Sequence, residues 1–138
     1  MASLAFNKFW NKVLTGSIDL DTDTFKCMLV TSAYTPNKDT HDFRDDVTNE
    51  VIGAGYTAGG ATVTVGVTDD TANDRQDIAL GSISLGSSTI TARGAVYYKS
   101  RGGAASADEI IAYIDFDSDI ISSNGTFALT ASTLRLQN

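Results

Sequence analysis

Four glycines fall within eight residues, Gly53, Gly55, Gly59 and Gly60, directly before an alternating run, and this junction constrains the fold more than any other stretch of the chain. Glycine gives the backbone room to turn sharply where other residues are blocked. After the glycines, Ala61, Val63, Val65 and Val67 alternate with Thr62, Thr64, Gly66 and Thr68, so the spacing predicts one extended strand over residues 61–67 with a single apolar face. A phosphate-binding loop is a poor match for the same glycines. No Gly-Lys-Ser/Thr follows them, and the next element reads as a strand instead of the helix whose N-terminus would hold phosphate.

Other segments repeat the two-residue period. Phe25, Cys27, Leu29 and Thr31 oppose Lys26, Met28 and Val30, which makes both faces largely apolar and predicts a central strand. Ile78, Ala79 and Leu80, then Ile83 and Leu85, suit short strands around a bend at Gly81-Ser82. Residues 89–99 set Ile90, Ala92, Gly94, Val96 and Tyr98 against Thr91, Arg93, Ala95, Tyr97 and Lys99, and lead into a small, exposed loop over 100–106. A further strand over 109–116 points Ile110, Ala112, Ile114 and Phe116 inward. Asn124-Gly125 is the clearest turn dipeptide and precedes a last strand built from Phe127, Leu129, Leu134 and Leu136.

Helical spacing is confined to two places. Phe6, Phe9, Trp10, Val13 and Leu14 share one face near the start, with Ser3 placed to cap the helix and Gly16 to end it. This helix either covers one face of the sandwich or presents Phe9 and Trp10 to a neighbouring subunit, and both readings require Trp10 to be buried. In the polar stretch 35–50, Phe43, Val47 and Val51 lie four apart, which predicts one or two helical turns. About seven strands at short intervals therefore predict a mainly β chain, an antiparallel sandwich or jelly roll with a short N-terminal amphipathic helix. A length of 138 residues suits one domain, with 1–16 as the helix and 17–138 as the β-sandwich.

Charge narrows the partners. A net charge of −7 opposes binding to nucleic acid or to an anionic membrane surface, since both would be repelled. No apolar run approaches membrane-spanning length and the first residues lack a signal-peptide core, so synthesis in a cytoplasm is expected. Cys27 is the sole cysteine and is expected to pack as a small apolar group, with no base or helix N-terminus to make it a thiolate.

No constellation for catalysis assembles. The single His41 lies among Asp39, Asp42, Asp45, Asp46 and Glu50, a setting that fits a solvated loop better than a metal or acid–base site. The acidic runs Asp19-Asp21-Asp23 and Asp115-Asp117-Asp119 open like calcium loops, but Thr24 and Ile120 stand where an EF-hand needs glycine, and Val30 and Thr126 where it needs glutamate. A looser rim site from both runs is the alternative to acidic strand ends that aid solubility. A nucleophile elbow is missing, so no enzyme and no cofactor are expected. Arg93, Lys99 and Arg101, with Tyr97 and Tyr98 among them, form a basic-aromatic cluster. It reads first as a solvated strand edge, then as a contact for an acidic protein partner, and least as a nucleic-acid footprint. Phe9, Trp10, Arg93, Tyr97, Lys99 and Arg101 are thus the candidate partner-binding residues.

The string Gly-Tyr-Thr-Ala-Gly-Gly-Ala-Thr over 55–62, preceded by the Phe-Asn-Lys-Phe helix and by Asp-Thr-Phe-Lys-Cys-Met-Leu-Val, resembles a family of small tailed-bacteriophage virion proteins described as head decoration, cement or minor structural proteins. The likeness covers about the first half of the chain. It implies a non-enzymatic virion component that binds the major capsid protein on the capsid exterior, and a symmetric lattice makes a homodimer or homotrimer natural. The competing class is a tail- or fibre-associated adhesin, with Tyr34, Tyr56, Tyr97 or Tyr98 exposed to stack on host glycan.

Overall fold

The computed structural model describes residues 2–137. Two antiparallel sheets and one short helix make up the protein, as the alternation predicts. The elements run β1 (Leu4–Ala5), α1 (Asn7–Leu14), β2 (Phe25–Val30), β3 (Ala61–Val63), β4 (Val65–Asp70), β5 (Arg75–Leu80), β6 (Ile83–Lys99), β7 (Ile110–Leu129) and β8 (Ser132–Gln137), with single 3₁₀ turns at Arg44–Asp46 and Ala105–Ala107. The first sheet is ordered β1-β7-β6-β2-β3 and the second β4-β5-β8.

One ladder links the sheets. β5 pairs with β8 up to Leu80↔Ser132, and β6 pairs with β7 from Ile83↔Leu129, so the same register is carried around a corner at 81–82 and 130–131. The second sheet is therefore the end of the β6/β7 ribbon folded back over the first, with β4 added at its edge. Gly81 sits in the bend because a Cβ there would stand 2.6 Å from the Thr64 carbonyl oxygen.

Alternation in the first sheet sorts side chains into two cores. Phe25, Cys27, Leu29, Ala95 and Tyr97 face the second sheet and α1, where they meet Phe9, Ile78 and Leu80. Met28, Val30, Val96, Tyr98, Ile110 and Tyr113 face the other way, under Phe6, Tyr34 and Val47. β2 is thus central and covered on both faces, as its sequence predicts. Burial pushes the Cys27 thiol up to about 12, which keeps it protonated and unreactive.

Several sequence expectations need correction. Residues 61–67 are not one strand: the chain leaves the first sheet at Val63 and enters the second at Val65, so the apolar alternation serves two sheets in turn. Asn124-Gly125 makes no hairpin. Asn124 and Ser87 take positive φ of 46° and 50° inside the ribbon, and the β6/β7 register shifts there absorb both. Phe127 and Leu129 therefore continue the strand predicted over 109–116 as one 20-residue β7, while Leu134 and Leu136 belong to the separate β8. Helix α1 starts after Phe6, whereas Ser3 lies before β1 and its Oγ accepts the Asp115 N–H. Gly16, at φ +84°, follows the helix end as expected. The 35–50 stretch holds one 3₁₀ turn, because Phe43 bridges to Glu109 while Val51 runs extended against Leu29.

Candidate functional site

The glycine-rich string that carries the resemblance is a structural clamp. Tyr56 Oη donates to Glu50 Oε1 at 2.6 Å and accepts the Leu29 N–H at 3.0 Å, while the Gly59 N–H donates to the same Glu50 oxygen at 2.6 Å. Tyr98 Oη donates to the Gly59 carbonyl. Gly60, at φ +82°, lies so close to β2 that a Cβ would stand 1.9 Å from the Cys27 carbonyl oxygen. Only glycine allows that approach, so these residues hold the loop against the sheet edge.

Tyr97, Tyr98 and Lys99 of the basic-aromatic cluster are turned inward, while Arg93 is partly buried and Arg101 is exposed. Tyr97 is fully buried and donates to the Gly81 carbonyl at 2.8 Å, which braces the corner between the sheets. Lys99 is also buried, its Nζ donating to the Ser17 carbonyl and pairing with Asp23 Oδ2, each at 2.8 Å. Arg101 forks onto Glu109 at 2.7 and 2.8 Å, and Arg93 pairs with Asp115 at 3.0 Å. Beneath them Asp108, 1% exposed, takes Arg44 Nε and the Arg101 N–H, both at 2.8 Å. In sequence the cluster reads first as a solvated strand edge. Here both faces of β6 are covered from Gly94 onward, so neither Tyr97 nor Lys99 presents a surface to a partner.

Rings proposed to stack on glycan are inside too. Tyr34, Tyr97 and Tyr98 are buried, and Tyr56 is half-buried with its hydroxyl engaged by Glu50. Tyr34 stacks on His41, with Oη 2.9 Å from Nδ1. The acidic runs do not converge either: Asp23 and Asp19 close a local turn, and Asp115 accepts the Asp117 N–H and pairs with Arg93. Among the described residues no cluster of three or more His, Cys, Asp or Glu could hold a metal ion, and no helix is long and apolar enough to cross a membrane.

Phe9 and Trp10 differ in burial. Phe9 is fully buried in the inter-sheet core, and Trp10 packs on it at 4.9 Å and is itself partly buried at the rim. Trp10, Val13, Leu14 and Leu20 line one wall of an opening of about 280 Å³ whose other wall is Val67, Gln76, Ile78 and Leu136. The walls expose no polar surface. Ile78 lies on the inner face of the second sheet, and that face simply extends past the helix that covers it. Leu14, Leu136 and Val67 are consequently 79%, 51% and 41% exposed. A second apolar spot pairs Ile52, 96% exposed, with Ile121 beside Thr89 and Thr91. Sequence periodicity counts Leu14, Val67 and Leu136 as inward-facing, but Leu14, the last residue of α1, is largely exposed, and α1 ends too early to cover Val67 and Leu136. The chain matches no known protein family, no curated protein and no solved structure.

Proposed function

We propose that the protein is a non-enzymatic structural component of a tailed-bacteriophage virion, a decoration or cement protein docked on the capsid exterior through the major capsid protein and made in the host cytoplasm. The observation that supports this reading is a division of labour. The interior charges named above are paired within the chain, while large apolar side chains are left exposed at the rim of the second sheet. Such a surface suits contact with another protein, and many weak contacts repeated over a lattice add to firm attachment. The phage assignment comes from the resemblance over the first half of the chain, carried chiefly by residues 55–62. Because those residues build the sheet edge, the resemblance speaks for shared architecture, and docking falls to the exposed apolar rim. Mass spectrometry and imaging of purified particles test the proposal: the chain is expected in many copies on the head, and its absence from particles or confinement to the tail overturns it.

We also propose self-association as a symmetric dimer or trimer through the open edge of β8. That edge leaves backbone N–H and C=O groups unpaired, and its single charge, Arg135, turns to Asp77 at 3.3 Å, so two copies meet without opposed charges. Sedimentation at high concentration checks it, and a strictly monomeric protein sinks it. Trp10→Ala is expected to lower the melting temperature without altering association, since the ring packs on Phe9 within one subunit.

A further inference from the structure

We infer that the opening between α1 and the second sheet is a docking groove for an extended segment of a partner protein, apolar at its centre and basic at both ends. Three adjoining hollows form the groove. The central one is the wholly apolar opening at Trp10, and it shares Val13, Leu20 and Val67 with a hollow at Asp19 and Asp21, and Gln76 and Leu136 with another at Asp69 and Asp74. An apolar trough therefore runs between two acidic ends.

Charge complementarity selects the occupant. Asp21, Asp69 and Asp74 are exposed. The hydrogen bonds that Asp19 and Asp69 accept, from the Asp21 N–H at 3.0 Å and from Gln76 Nε2 at 2.7 Å, orient their carboxylates without cancelling charge. Arg75 is the one cation among the lining residues, and it is already shared by Asp70 and Asp77 at 3.0 and 3.2 Å. A second copy of this chain is a poor occupant, because it carries the same −7 charge and would set acidic ends against acidic ends in an isologous contact. An apolar segment with lysine or arginine at each end meets the trough and both rims. The inference stands apart from the lattice reading: virions lacking the protein would end that reading and leave the groove to be tested with free peptide.

The groove holds its own reporter, since Trp10 is the only tryptophan. The probe is a synthetic peptide of Leu-Phe-Ile-Leu flanked by two lysines at each end, titrated against the full chain while Trp10 emission is followed. A saturating blue shift is expected. Replacing the four apolar residues by serine, or the lysines by glutamate, should weaken binding by about tenfold or more, and so should Leu14→Ser or Leu136→Ser, whose exposed positions leave the melting temperature unchanged. Asp21→Asn with Asp69→Asn should weaken it less and flatten its salt dependence. Three results overturn the inference: equal binding of the lysine–serine peptide, which would mean attraction to net charge alone; no saturating shift; or a wild-type oligomer in sedimentation that Leu14→Ser dissolves, which would mean that a second copy covers the groove.

Discussion

The two sheets treat the same kinds of residue in opposite ways. Around β2 and the Gly94–Lys99 end of β6 the first sheet is covered on both faces, by α1 and the second sheet on one side and by the 31–50 segment on the other. Tyr97, Tyr98 and Lys99 of β6 are drawn into internal hydrogen bonds and an ion pair, and Arg44 and Arg101 beside the sheet are paired with Asp108 and Glu109. The second sheet is covered on one face only, and incompletely, so Val67 and Leu136 stand at the rim with solvent access. Chemical type therefore does not decide which residues can meet a partner. Coverage decides it: residues that look like a binding cluster in sequence are structural, and residues that look like core are available.

The sharpest way to break that contrast is Tyr97→Ala. The ring is fully buried and its hydroxyl holds the Gly81 carbonyl at the corner, so truncation should cost about 3–5 kcal/mol in denaturant unfolding. A loss near zero would place Tyr97 at a surface after all. Gly60→Ala comes next, at about 3 kcal/mol, since the new methyl meets the Cys27 carbonyl and the left-handed φ is strained for alanine. Chemical shifts of β2 and β3 should move with it. If they stay put, the close approach at Gly60 is not what holds that edge.

How much of this was legible in the sequence depends on the range of the contact. β2 was legible because alternation is local, and Phe25 to Val30 advertise two apolar faces. The break at Thr64 was not, since a strand that changes sheet keeps its two-residue period while its hydrogen-bond partner changes from β2 to β5. Asn124-Gly125 misled because a turn dipeptide and a bulge demand the same positive φ, and only the opposite strand, here Ser87 and Ser88, tells them apart. Lys99 misled for a similar reason: its charge suggests solvent, but Asp23, far off in sequence, supplies a buried partner. The groove was illegible because exposure of Leu136 depends on where a helix more than a hundred residues earlier happens to stop.

Acid should weaken the covered side through its carboxylates. Burial alone would raise Glu109, but the Arg101 hydrogen bond and charge outweigh it and hold the carboxyl below its ordinary 4.5. At Asp46, likewise, burial is overcome by the Asp42 and Phe43 N–H groups, and the carboxyl lies below 3.8. A lowered folded-state value means that the stabilisation is complete above the unfolded-state value and is lost as pH falls through the folded one. Unfolding free energy should therefore fall from about pH 5 downward. Glu109→Gln should lose on the order of 1 kcal/mol at neutral pH, a figure kept small because Arg101 still reaches water, and should show a shallower acid slope. An unchanged slope would assign the acid sensitivity to other carboxylates.

The smallest expected effect tests the other side of the comparison. Leu136→Ser removes an apolar side chain from a strand that otherwise reads as core, and if the second sheet were closed like the first, the loss would resemble a buried leucine truncation of about 2–5 kcal/mol. Leu136 is 51% exposed and faces Trp10 across an open trough, so the substitution removes little burial and should change stability by no more than about 0.5 kcal/mol. Serine there also lowers the apolar area open to water, which should reduce non-specific association. A loss above about 2 kcal/mol would mean that the groove closes in solution and that the two sheets are covered alike. A near-neutral result together with Tyr97→Ala at several kcal/mol would establish that stability resides in the covered sheet, leaving the rim of the second free to be shaped by what it binds.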